Sequence, residues 1–488
     1  MTPSTDTSPA GNGSQDAHLA FARRMDRIDG LGHYRRQFVG IAPDPTPDTA
    51  PRGTAGGTTG TAGTAGGTTG TAGTAGHTPN PVAYLDGNSL GRPTRASVAR
   101  ITEFLTHDWG TRLIRGWDEE WLDLPLKIGD DLGRAALGAG PGQVFVGDST
   151  TVLLYKLARA AVDYLRVDTE PLRTEIVLDT DNFPTDRYLL EGIAAERGMT
   201  LHWIHSDPAS GVTVEQVRQA VGPQTALVLL SHVAYRSGFL ADMREITTVV
   251  HAAGGLVLWD LSHSAGSVVV ELDLCDVDLA VGCSYKYLNG GPGAPAFAYV
   301  RRDLQDVLTQ PIQGWMGTKD VFTMGPGYVP ADGIRRFMSG TPPIVGMLAM
   351  QDSIVMIEEA GIDAVRAKSV ALTEFALTLV DAWLAPMGVT VSSPREPTHR
   401  GGHVTVNHPA MRQVTQILWQ HDVIPDFRTP DALRIGLSPL STSFVETFEG
   451  VAAIRDVLRG VLLGQSGLAG NGVGSGVAGA LGGPGVGL

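Results

Sequence analysis

Seven short apolar runs, at 143–147, 174–179, 201–204, 225–231, 256–261, 279–283 and 296–300, alternate with stretches of helical periodicity at 151–166, 185–197, 213–221 and 243–253. No other feature restricts the fold as much. A helix between two strands carries the chain back, so that the next strand runs parallel to the last. The pattern therefore predicts an α/β fold with a mostly parallel sheet and helices on both faces. From about Met338 the pattern changes. Long helices at 343–359 and 362–383 are followed by a strand, a helix and a strand at 402–407, 411–421 and 433–436. This predicts a smaller α+β C-terminal domain over 338–463, after a large domain with its N-terminal arm over 81–337.

The remaining segments are simpler. Residues 1–16, rich in Ser, Thr, Gly and Pro, read as a disordered leader, and 17–42 as an N-terminal helical segment with Leu19, Phe21, Met25, Ile28 and Leu31 at helical spacing. Residues 43–80 are low-complexity Gly, Thr and Ala, and the ten residues at 53–62 recur unchanged at 63–72. A repeat so poor in large apolar side chains cannot bury a face, so it reads as a flexible insertion and not a solenoid. Residues 464–488 form a Gly-rich tail, expected to fray.

Composition narrows the function classes. Hydrophobic residues make up 42% and charged residues 18% of the 488, which suits a sizeable core. The formal net charge is −14 and no Lys/Arg-rich block occurs, which argues against a nucleic-acid partner. Two cysteines, Cys275 and Cys283, cannot make a disulfide framework and point to a reducing compartment. With no secretory h-region and no window of about eighteen apolar residues, the expectation is a cytoplasmic protein that does not span a membrane.

The chemistry concentrates at two strand ends. The run 256–261 carries Asp260, and 26 residues further on the run 279–283 leads into Ser284-Tyr285-Lys286-Tyr287. Ligands of open parallel sheets sit outside the carboxyl ends of the strands, so both side chains are expected in one crevice. A pyridine cofactor needs such a pair, an acid to keep its ring nitrogen protonated and an amine to form an imine. Taken singly, Asp260 reads more readily as a helix cap or turn residue and Lys286 as a surface lysine; the flanking sequence reverses that reading. Gly147-Asp148-Ser149-Thr150-Thr151 before a helix looks like a phosphate seat, though an ordinary N-cap has the same pattern. Asn182-Phe183-Pro184-Thr185-Asp186 could stack an aromatic on a flat cofactor, or be a capping turn with Pro at the first helical position. The Gly-x-Gly-x-x-Gly match at 474–479 has no strand before it and is read as chance. His399 and His403 flank glycines 401 and 402, which argues against a metal pair on a helix; no metal is expected.

These strings together, with Tyr84-Leu85-Asp86-Gly87-Asn88-Ser89-Leu90-Gly91, Asp260-Leu261-Ser262-His263, Ser284-Tyr285-Lys286-Tyr287-Leu288-Asn289 and Gly314-Trp315, resemble the kynureninase family. The resemblance covers roughly residues 17–38 and 81–460. It implies a fold-type-I, pyridoxal 5'-phosphate (PLP)-dependent enzyme that hydrolyses L-kynurenine to anthranilate and L-alanine in tryptophan degradation. It implies that Lys286 carries the cofactor as a Schiff base and moves protons, with Tyr285 as a relay. Asp260 would pair with the pyridinium nitrogen and Phe183 stack on the ring, flanked by Pro184, Thr185, Asp186 and His263. Thr150, Thr151, Ser231, Tyr285, Trp315 and Thr341 fall at positions that bind the phosphate or line the cofactor pocket. Ser89, Trp117 and Arg434 are the implied substrate contacts, Arg434 holding the α-carboxylate. Trp117 and Thr341 stand where members that favour 3-hydroxykynurenine carry His and Asn, which implies preference for kynurenine itself. A homodimer with composite sites is implied as well.

Three alternatives stay open at this level. A cysteine desulfurase needs a nucleophilic cysteine on a mobile loop, whereas Cys275 and Cys283 flank or end the run before Lys286. An aminotransferase would need a keto-acid acceptor. A non-catalytic PLP-binding regulator would carry a basic helix-turn-helix domain, and the first 80 residues offer one short helix and a Gly/Thr repeat.

Overall fold

The computed structural model describes residues 12–41, 81–166 and 172–469. Strand β1 (Ala83–Leu85) comes first, followed by β2 (Val144–Gly147), β3 (Glu175–Asp179), β4 (Thr200–Ile204), β5 (Thr225–Ser231), β6 (Leu256–Asp260), β7 (Leu279–Gly282) and β8 (Ala296–Val300). The last four are β9 (Thr390–Val391), β10 (His403–Asn407), β11 (Val423–Arg428) and β12 (Ala432–Gly436).

Strands β2 to β8 form a seven-stranded sheet in the order β2-β8-β7-β6-β5-β3-β4. Pairing is parallel from β4 through β7; β8 runs antiparallel to both β7 and β2. The expected α/β sheet is present, and each of the seven expected runs is one of its strands. Alternation along each strand explains the layers. On β5, Leu227 and Leu229 join the core on one face, while Val228 and Leu230 join the core on the other. Helices Thr150–Leu165 and Pro184–Arg197 cover the first face with Leu153, Leu157, Leu190 and Ile193. Helices Leu124–Leu132, Met243–Ala252 and Ile344–Ala360 cover the second with Ile128, Ile246, Val250 and Met347. Each such buried aliphatic contributes on the order of 1.5–3 kcal/mol, so both faces must be covered for the strands to persist.

The smaller sheet has the order β1-β11-β12-β10-β9. Strand β1 pairs parallel with β11, so residues 83–85, expected in the N-terminal arm of the large domain, belong to this sheet. Helix Phe444–Ala469 runs into the segment expected as tail, and helix Asn12–Ile28 begins inside the expected leader. The two meet through a cap: Asp26 accepts from the backbone N–H groups of Phe444 (2.7 Å) and Val445 (3.0 Å). These are two of the donors that a helix start leaves unpaired. The repeat at 43–80 lies outside the described residues.

The helical run Ile362–Met387 is long and apolar enough to cross a membrane by length and composition, which the sequence reading did not find. Its Leu372, Phe375, Ala376, Leu379 and Leu384 are buried in the core of the smaller domain, as in a core helix of a globular fold.

Candidate active site

Parallel pairing lines up the carboxyl ends of β5, β6 and β7. Ser231 lies opposite Asp260, and Asp260 opposite Val281, so Lys286 leaves β7 beside the acid. Strand β2 is antiparallel to β8, which is antiparallel to β7, so Gly147 and the start of helix Thr150–Leu165 lie at the same sheet edge. Ser149 caps that helix, accepting from the Val152 N–H. Asp148 stands just before it at φ +48°, and its carboxylate pairs at 3.0 Å with Lys156, which is fully buried.

Lys286 is buried, and its Nζ lies 3.0 Å from His263 Nε2 and 6.0 Å from the centre of the Phe183 ring. Burial, followed by the cations of Lys286 and Arg434, holds the His263 imidazole well below its ordinary pKa. The ring is therefore neutral and its Nε2 accepts from Lys286 Nζ. Burial and the neighbouring charges of Asp260 and Asp179 push the Asp186 carboxyl well up. Asp260 Oδ1 accepts from the Ser262 N–H at 2.9 Å, and its carbonyl accepts from His232 N at 3.0 Å. The loop after β3 is tied down by Asn182, whose Oδ1 accepts from Ser231 Oγ and from Phe183 N, both at 2.8 Å. Phe183 meets Tyr235 edge-on at 5.4 Å, and Pro184 and Thr185 open the helix that carries Asp186. Burial, with Cys283 beside it, pushes the Tyr285 phenol up, so it is protonated at neutral pH and can donate.

The smaller domain adds a cation. Arg434 is fully buried on β12; its Nη2 donates to Ser89 Oγ at 2.6 Å and its Nη1 to the Tyr235 carbonyl at 2.6 Å. Asp426, its register partner on β11, takes a further Nη2 contact at 2.7 Å. Sequence reading missed Asp426, Tyr235, Asn182 and Lys156. Asp426 was within reach, since Thr429-Pro430-Asp431 is a turn signal that folds 426 back onto 434.

Three expected residues show no contact with Lys286. Trp315 and Thr341 are exposed, and Trp117 packs on Trp121 at 5.5 Å. Trp117 lines a cavity of 570 Å³ with Glu120, Asp123, Lys127, Lys319 and Arg335, none of which belongs to the Lys286 cluster. Among the described residues, no hydrogen bond or ring contact joins these three to Lys286. No group of side chains that could hold a metal ion occurs among the described residues.

Solved structures of similar fold include a cysteine desulfurase from Thermococcus onnurineus NA1, with TM-score 0.65 and 19% identity over 78% of this chain and 95% of that one. Another is a variant of C-DES with glycine covalently linked to its PLP cofactor, with TM-score 0.67 and 18% identity over 77% and 97%. The fold is that of the fold-type-I PLP-dependent enzymes. Sequence narrows this further. A kynureninase from Pseudomonas fluorescens is 39% identical over 383 residues, 78% of this chain and 90% of the relative. One from Burkholderia pseudomallei strain K96243 is 40% identical over the same shares. The family described as "Kynureninase C-terminal domain" matches residues 365–454. The chain belongs to the kynureninase family.

Proposed function

We propose that this protein is a PLP-dependent hydrolase that converts L-kynurenine to anthranilate and L-alanine. What supports the proposal is the placing of Asp260 and Lys286 at neighbouring strand ends, with His263 feeling the charges of both Lys286 and the buried Arg434, in a chain of this family. The residues present fit the cofactor. Asp186 Oδ2 and His263 Nδ1 are buried without a hydrogen-bond partner beside Lys286, as expected of groups that await a polar ligand. An aromatic face, a carboxylate at a strand end, a buried amine and a helix N-terminus supply what a flat pyridine aldehyde phosphate needs.

In this proposal Lys286 carries the cofactor, Asp260 pairs with its ring nitrogen and Phe183 lies on its face. Asp186, His263, Pro184, Thr185 and Ser231 surround it, and Thr150 and Thr151 hold the phosphate. When bound, PLP supplies an electron sink for the electrons that each bond cleavage leaves on the substrate. Lys286 takes the Cα proton as an amine, with Nε2 of neutral His263 at 3.0 Å to accept a hydrogen bond from it and hold it in place. Tyr285, protonated at neutral pH, donates where the carbon skeleton needs a proton. Arg434 and Ser89 hold the α-carboxylate, a task that suits a guanidinium fork. In the net reaction the Cβ–Cγ bond breaks; water's hydroxyl goes to the aryl carbonyl carbon and a proton goes to Cβ.

A homodimer is part of the proposal. Trp315 and Thr341, exposed in the single chain, would then meet the cofactor across a subunit interface, with Trp117 as the contact that sets preference for kynurenine over its 3-hydroxy derivative. A cytoplasmic location agrees with the net charge of −14 and two free thiols. A desulfurase reaction is disfavoured because Cys283 is buried at the end of β7, its N–H tied to Ser262 Oγ. Incubation with kynurenine and 3-hydroxykynurenine in parallel, following anthranilate fluorescence and loss of each substrate, tests the proposal. Anthranilate without added keto acid is expected; turnover only with a keto-acid acceptor would make the protein an aminotransferase.

A further inference from the structure

Arg434 has five N–H donors. Two on Nη2 serve Asp426 and Ser89, one on Nη1 serves the Tyr235 carbonyl, and Nε has no partner. Asp426 is shared, since Arg428 Nε also reaches it at 2.7 Å. A second carboxyl, Asp86, stands 3.9 Å from Arg434 Nη2, and that oxygen, Oδ1, has no hydrogen-bond partner. Three elements meet here: the residue after β1, bridged to Gly436; β11; and β12. The cluster thus holds two guanidinium cations and two carboxyls before any substrate arrives.

A substrate α-carboxylate at Arg434 would be the third carboxyl against two cations. In a water-poor site an unbalanced negative charge is costly, and protonation of one carboxyl is the cheapest relief. Asp426 is already held by two direct guanidinium contacts, from Arg428 Nε and Arg434 Nη2. Asp86 lacks such contacts. We propose that binding of the substrate carboxylate at Arg434 is coupled to uptake of one proton by Asp86, which makes Asp86 a positioning residue for the substrate-binding arginine. The inference rests on the assignment of Arg434 as the carboxylate site.

The surroundings of Asp86 support this. Burial, and then the charge of Asp426, already push its carboxyl up to about 6, against the opposing pull of Arg434, Ser89 and Arg428. Tyr84 on β1 and Tyr287 beyond Lys286 also face it; burial pushes both phenols up, so they stay neutral and add no charge. Arg92, which stacks on Tyr84, is already paired with Glu446 at 2.9 Å. A bound carboxylate raises the proton affinity of Asp86 further, so affinity for the ligand falls up to tenfold per pH unit above about 6.

The test is calorimetric titration of the PLP-loaded protein with 3-benzoylpropanoate, which has the substrate's ketone and carboxylate but no amine. Runs in two buffers of different ionisation enthalpy at each pH give the number of protons taken up. Uptake near zero at pH 5 rising to about one at pH 8 is expected, together with weakening affinity. Asp86→Asn should bind with affinity independent of pH and take up no proton. Absence of uptake by the unmodified protein, or equal uptake by Asp86→Asn, overturns the proposal while leaving Arg434 as the carboxylate site. Unchanged binding by Arg434→Met would instead overturn the Arg434 assignment.

Discussion

Lys286 Nζ lies 3.0 Å from Nε2 of His263, and the imidazole is held neutral by burial and by the cations around it. The buried Nζ therefore has an uncharged hydrogen-bond acceptor beside it. Removing that acceptor leaves a buried donor unsatisfied, which costs about 1–3 kcal/mol, roughly five- to a hundredfold in rate if it falls on the catalytic step. His263→Phe is expected to lose roughly five- to a hundredfold in kcat, and His263→Gln, which keeps an acceptor, to lose less. Steady-state kinetics across pH 6–9 checks this; equal rates for His263→Phe and the unmodified protein would contradict it.

The sequence strings at 84–91 and 284–289 meet in space, which explains why they occur together. Gly91 N donates to the Tyr285 carbonyl at 2.8 Å, and a Cβ at Gly91 would collide with the Lys286 carbonyl oxygen and Asn289 Oδ1. Gly91→Ala should therefore destabilise by about 1–3 kcal/mol and lower cofactor occupancy, read from the absorbance of the bound cofactor. Gly192→Ala is the control: its Cβ meets nothing within 4 Å inside helix Pro184–Arg197, and it should stabilise by roughly 0.5–1 kcal/mol. Similar effects from the two substitutions would show that the close approach of Gly91 does not matter.

Stability should depend on pH through groups of opposite sign. His232 and His403 are buried with pKa values lowered to about 3. Each folded-state value lies below the unfolded one, near 6.5, so their contribution is complete above that pH and is lost as pH falls toward 3. Asp179, pushed up to about 7 by burial and Asp181, acts the other way: its contribution is complete below about 4 and is lost as pH rises through 7. His232→Gln should flatten the acid side of the stability curve by about 1.4 kcal/mol per pH unit between pH 4 and 5.5. Denaturant unfolding at each pH measures the slope; an unchanged slope would mean that His232 titrates normally.

The large sheet was legible because its inner strands β5, β6, β7 and β8 are continuous apolar runs buried on both faces. Asp260 and Lys286 were legible for the same reason, as polar residues at or just beyond the ends of such runs. Strand β1 has only three residues, and β11 is broken in pattern by Pro425 and Asp426, so neither shows the period that marks a strand. The segment 104–121 is largely π-helical, a geometry without a sequence period of its own. Arg434 was found through its family motif, whereas Tyr235, 199 residues away, reaches it only through packing between the domains. Trp117, Trp315 and Thr341 were chosen by motif alone, and among the described residues no hydrogen bond or ring contact joins them to Lys286.

Lys286→Ala measures the central claim most directly. The variant, purified with excess PLP and given L-kynurenine, is followed by the absorbance of the lysine-bound cofactor and by anthranilate fluorescence. Loss of both signals, with folding intact by circular dichroism, is the result expected; near-normal anthranilate production by Lys286→Ala would contradict the assignment of the site.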